Sequence, residues 1–132
     1  MGRIVIPRIV LDEFISEVRR SDIEVCGLLV GRRDGEDAYV EKLYIAENMD
    51  RSPVRFTIDP YTMLKAFEEA ENMGMEVIGV IHSHPAPPSP SNLDLENMYR
   101  WQVVWVIVDS NSLDAAAWRY RNGLERVELI IS

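Results

Sequence analysis

The chain has 132 residues, 47% of them hydrophobic and 27% charged, which suits one soluble globular domain with a real core and leaves too little for two. Its formal net charge of −8, with no basic cluster beyond Arg19-Arg20 and Arg32-Arg33, argues against nucleic acid as the main partner. A single cysteine, Cys26, excludes an internal disulfide, and no apolar run approaches the ~20 residues of a membrane span, so a cytoplasmic protein without membrane contact is expected.

Arg3 to Ile6 reads as a short first strand. Pro7 suits a helix start, and Leu11, Phe14, Ile15 and Val18 then fall at i, i+3, i+4 and i+7, the stripe of an amphipathic helix. Ser21-Asp22 ends it. Ile23 to Gly31 reads as a buried strand with one anomaly, Glu24. Alternation puts Glu24, Cys26, Leu28 and Val30 on one face. A carboxylate there is costly unless a cation meets it; the competing reading is a solvated strand end. Cys26, set in an apolar strand, reads as a buried and inert thiol.

Arg32 to Asp37 is a polar turn with a glycine, so Ala38 to Ala46 returns as a hairpin strand. Asn48 to Pro53 is loop, and Val54 to Ile58 is a short strand or extended segment. Asp59-Pro60 gives an N-cap and a proline at the first helical position. Met63, Leu64, Phe67 and Ala70 mark the buried face of that helix, and Gly74 closes it. Glu68, Glu69 and Glu71 form a solvated acidic face.

The apolar run Val77 to Ile81 leads into His82-Ser83-His84-Pro85, which holds both histidines of the chain. On a strand, His82 and His84 point to the same face, roughly 6.5 Å apart along the chain. Two imidazoles at that spacing can converge on one ion, since Zn–N bonds are about 2.0–2.1 Å. Four prolines between 85 and 90 then forbid regular structure, and Ser91 to Asp94 opens a helix reaching about Tyr99. Asp94 as third ligand would give two nitrogens and one carboxylate with one position open, the pattern of a catalytic zinc site. The competing reading is a capping box, Ser91 as N-cap and Asp94 at N3.

Gln102 to Val108 is a β-branched and aromatic strand. Ala115 to Tyr120 and Leu124 to Ile131 pair around Arg121-Asn122-Gly123, a hairpin signal. Trp101, Trp105 and Trp118 read as core or rim packing. The fold class is therefore α/β: a single-domain mixed β-sheet over 1–132 with flanking helices and the site at strand ends.

His82, His84, Ser91 and Asp94 together resemble the signature of the JAMM (MPN+) metalloprotease family: His-x-His-Pro, six residues, Ser-x-x-Asp, and a glutamate far upstream. The loop departs from it, with five residues, Ala86 to Pro90, between Pro85 and Ser91. Glu24, just before Gly27-Leu28-Leu29-Val30-Gly31, matches the family glutamate, and Asn48, Pro53, Phe56 and Asp59 match its linker before the second helix. The resemblance implies a cytidine-deaminase-like layout, Zn2+ held by His82, His84 and Asp94, and Glu24 and Ser91 as catalytic groups. It also implies cleavage after the C-terminal Gly-Gly of a ubiquitin-like small modifier, which would be the partner. Two other classes fit the residues: a hydrolase of a sulfur-carrier protein or small peptide in cofactor biosynthesis, and a non-catalytic MPN interaction scaffold.

Overall fold

The computed structural model describes residues 2–132; Met1, the first residue of the expected domain span, lies outside them. The elements run β1 (Arg3–Ile6), α1 (Arg8–Arg19), β2 (Cys26–Asp34), β3 (Asp37–Ala46), α2 (Pro60–Asn72), β4 (Glu76–His84), α3 (Asn92–Arg100), β5 (Val104–Asp109), β6 (Ala115–Tyr120) and β7 (Leu124–Ile131). The strands form one mixed sheet that closes on itself in the order β1-β3-β2-β4-β5-β6-β7. The mixed sheet matches the sequence reading; its closure does not follow from it. β1 makes the closure by pairing parallel to both β3 and β7, which lie far apart in the chain.

Alternation along the strands divides the core in two. Val25, Leu29, Ile81, Val106 and Val108 pack with Leu11, Phe14 and Val18 of α1. Cys26, Leu28, Val30, Val80 and Trp105 pack with Ala66 and Ala70 of α2 and Met98 of α3. Each fully buried Leu, Phe or Val side chain contributes about 1.5–3 kcal/mol. The helices therefore hold both faces of β2 and β4, the two strands that carry the candidate site.

Three local expectations change. The first helix begins at Arg8, with Pro7 at its N-cap rather than inside it; the proline ring has no acceptor to cap with, and the Pro7 carbonyl accepts from Val10 and Leu11. β2 begins at Cys26 rather than Ile23; the Glu24 N–H goes to the Ser52 carbonyl at 2.8 Å instead of joining the ladder. On α2 the buried residues are Ala66 and Ala70, while Leu64 is 57% and Phe67 45% exposed. Small side chains let this helix lie close to the sheet, and Phe67 turns aside to stack on Trp101 at 6.0 Å. The segment Val54 to Ile58 forms only one bridge, Ile58 to Asn48.

The last hairpin forms as read: Asn122 and Gly123 take positive φ of 58° and 131°, which their types tolerate. Among the described residues no helix is long and apolar enough to cross a membrane.

Candidate active site

β4 is a central strand, antiparallel to β2 and parallel to β5. Its last three residues carry both candidate histidines. His82 pairs with Cys26 on one side and Ile107 on the other, and His84 pairs with Asp109. His82 is fully buried and His84 nearly so. Their rings lie on the same face, as the alternation requires, with centroids 5.5 Å apart.

The start of α3 supplies the carboxylate. Ser91 Oγ accepts from the Asp94 N–H at 3.1 Å, and Asp94 Oδ2 accepts from the Ser91 N–H at 3.0 Å. The capping box is thus present, but it does not compete with a ligand role for Asp94. The box fixes the rotamer and leaves Oδ1 directed at His82 Nε2, 3.3 Å away, while Oδ2 lies 3.6 Å from His84 Nε2. Two ligands about 2.0–2.1 Å from one tetrahedral ion stand about 3.3–3.4 Å apart. Histidines and aspartate therefore sit near the spacing that a shared ion demands. They are not a finished cage, and among the described residues no group of three His, Cys, Asp or Glu is one. His84 Nε2 also lies 3.3 Å from the Ser89 carbonyl of the proline loop.

Glu24 is 3% exposed, so the solvated strand end is ruled out. Its Oε1 lies 3.3 Å from His82 Nδ1. The neighbouring Val25 donates its N–H to Ser83 Oγ at 3.0 Å and accepts from the Ser83 N–H at 2.9 Å, which ties Glu24 to the histidine strand. Glu24 Oε1, His82 Nδ1, His82 Nε2 and His84 Nδ1 are all buried without a hydrogen-bond partner. A buried polar atom left so costs about 1–3 kcal/mol; a cation beside Asp94 would relieve His82 Nε2, while His82 Nδ1 faces Glu24 on the other side of the ring. The donor set suits zinc, with imidazole nitrogens and one carboxylate. A second residue on this strand is thereby excluded: burial, then the negative charge of Glu24, pushes the Cys26 thiol up to about 12, so it is no nucleophile.

Aromatic rings flank His82. Phe56 stacks on His82 at 4.6 Å, and Trp105 meets its edge at 6.2 Å. A cleft of about 520 Å³, walled by Ser21, Asn111 and Leu113, opens onto Glu24, Ser83 and His84.

With this geometry in view, comparison with known proteins is specific. Residues 7–121 match Prok-JAB, the prokaryotic homologs of the JAB domain. The chain belongs to this family. A relative of this JAB-domain chain is a desampylase of Pyrococcus furiosus, 40% identical over 131 residues, covering 97% of this chain and 90% of that one. Another is a probable TtuB-protein conjugate cleaving protease of Thermus thermophilus, 33% identical over 113 residues, with 83% and 72% covered. Among solved structures, protein DSY2949 of Desulfitobacterium hafniense superposes with a TM-score of 0.87 at 30% identity, over 98% of this chain and 92% of its own. A JAB-domain chain with such relatives is a JAMM-type hydrolase.

The structure brings all five sequence-read residues toward one place, with His82 touching both Glu24 and Asp94. Three further residues lie around the candidate site: Phe56 and Asn48, both matched to the family linker in the sequence, and Asp109 at the end of β5. Asp109 has a legible signal, since Asp-Ser-Asn-Ser is an Asx-type turn. Its Oδ1 accepts from the N–H groups of Asn111 and Ser112, which holds its carboxyl below the usual range.

Proposed function

We propose that this protein is a zinc-dependent isopeptidase that cleaves after the C-terminal Gly-Gly of a ubiquitin-like small modifier, as a single JAB domain over 1–132 with a cytidine-deaminase-like layout. The observation that carries it is the convergence of His82, His84 and Asp94 beside a buried carboxylate, in a chain 40% identical to a desampylase. The parallel β4–β5 pair, with the site at its carboxyl end, supports the layout.

His82, His84 and Asp94 would hold the ion. When bound, zinc supplies Lewis acidity toward the scissile carbonyl and a water acidic enough to attack near neutral pH. The remaining roles belong to the chain. Glu24, acting at Oε1, takes the proton of the attacking water and returns it to the leaving lysine amine. Its burial keeps bulk water from competing. Ser91 Oγ already accepts from Asp94 and keeps its own proton free to donate to the developing oxyanion. Phe56 and Trp105 hold the His82 ring from its face and its edge, so its orientation is set before substrate arrives.

Elemental analysis and a cleavage panel of Gly-Gly-terminated fusions, run on one preparation, test this reading. About one zinc per chain and release of the modifier at Gly-Gly are expected, with most metal lost in His82→Ala and in His84→Ala. A protein that takes up no zinc after metal-replete expression, or cuts none of the fusions, would overturn it.

A further inference from the structure

Glu24 precedes the first residue of β2, so the sheet does not fix its position. Its carboxylate nonetheless meets His82 Nδ1 at 3.3 Å, at the wall of the cleft. Besides the Val25–Ser83 bonds on one side, Glu24 is held by a side chain from the loop before α2.

Asn48 is 3% exposed. Its Nδ2 donates to the Glu24 carbonyl at 3.0 Å and to the Arg55 carbonyl at 3.0 Å, with a weaker contact to the Ser52 carbonyl at 3.4 Å. Its Oδ1 accepts from the N–H groups of Asp50 at 3.0 Å and Thr57 at 3.2 Å. An amide has two N–H donors and two lone pairs, and all are used here. The Glu24 N–H completes the link by donating to the Ser52 carbonyl. One buried amide therefore binds Glu24 and both arms of the 48–58 loop into one frame. Phe56, carried between Arg55 and Thr57, then lies on the face of His82, while the Glu24 carboxylate meets the ring's Nδ1.

We infer that Asn48 is a positioning residue for the hydrolysis, acting through the Glu24 backbone and through Phe56. It touches no reacting atom and carries no proton. Its function is to hold the carboxylate that moves the proton and the ring that backs the histidine in one fixed relation. This rests on the hydrolase reading above. Nothing except an amide fits: Asp lacks the donors for three carbonyls, and shorter residues do not span from loop to strand.

The test uses the full zinc-loaded chain as wild type, Asn48→Ala, Glu24→Gln and the double variant. Turnover is read on a Gly-Gly-terminated modifier fusion, zinc by elemental analysis, and loop opening by amide hydrogen exchange. In Asn48→Ala the amides of Glu24, Asp50 and Thr57 exchange faster while those of β5 and β6 do not change, and zinc stoichiometry is retained. The kcat falls by about 10–10²-fold, the scale of a misplacement near one ångström, with KM little altered. In the Glu24→Gln background the same change removes little further, since both act on one group. Retained kcat with exposed loop amides, a rise in KM alone, or losses that multiply in the double variant would each overturn the inference. If Asn48→Ala does not fold, Asn48→Ser, which restores one hydroxyl, gives the same pattern with smaller losses. A wild type that cuts no fusion defeats the hydrolase reading, and exchange then judges the frame: faster exchange spread evenly into β5 and β6 would overturn it.

Discussion

The Trp118 indole N–H donates to the Pro88 carbonyl at 2.8 Å, joining β6 to the middle of the proline loop. That loop is the one place where the chain departs from the family spacing, and its Ser89 carbonyl reaches His84 Nε2. Trp118 thus sets where the loop stands between the histidine strand and the start of α3. The Arg126 guanidinium lies over the Trp118 ring at 4.9 Å and holds the donor in place.

Trp118→Phe keeps an aromatic ring, a smaller one, and removes the donor. Zinc affinity should fall by about tenfold, as for other outer partners of a metal site. Titration against a chelator of known affinity checks this. Equal affinity in the two proteins would show that the loop finds its path without the indole.

Ser91→Ala separates two functions of one hydroxyl. Loss of the N-cap should lower stability by about 1 kcal/mol, visible as a lower Tm. Loss of an oxyanion donor should cut turnover by about 10²-fold or more. A lower Tm with unchanged turnover would leave Ser91 a cap alone.

Glu24→Gln keeps shape and cannot take a proton. The variant should fold, hold zinc and bind substrate, while turnover falls by about 10²–10⁴-fold. Zinc loss would instead make Glu24 a ligand. Wild-type turnover in the zinc-loaded variant would end the proton-transfer role.

Cys26 should resist alkylation in the native protein at pH 8 and react once the chain is unfolded. Burial raises the folded thiol to about 12 from an ordinary 9.0. The folded state keeps its proton where the unfolded state has lost it. This contribution to stability is therefore complete below pH 9 and is lost progressively as pH rises toward 12. Denaturant midpoints measured from pH 8 to 11 check the sign, and Cys26→Ala should flatten the fall. Rapid labelling of the native thiol would contradict the burial.

Much of the candidate site's geometry was legible in the sequence because it is local. His82 and His84 are two residues apart on a strand, so the pleat alone puts them on one face. Ser91 and Asp94 are three apart at a helix start, so one capping geometry sets both. The strands around the Arg121–Gly123 turn were equally plain, because a two-residue period and a turn residue with positive φ are properties of adjacent residues.

Other features depended on contacts that no local pattern encodes. Glu24 could be solvated or buried until Ser52, Asn48 and Ser83, each brought from elsewhere in the chain, enclosed it. The α2 stripe named Ala70 but also Leu64 and Phe67, which stay exposed, while close approach to the sheet selected Ala66 beside Ala70. Closure of the sheet through β1 was invisible for the same reason, since its partners β3 and β7 are distant in sequence. The sequence by itself determined which donors exist and on which face they stand. The tertiary structure decided which of them lose water, because desolvation is a property of everything packed around a group and not of its neighbours along the chain.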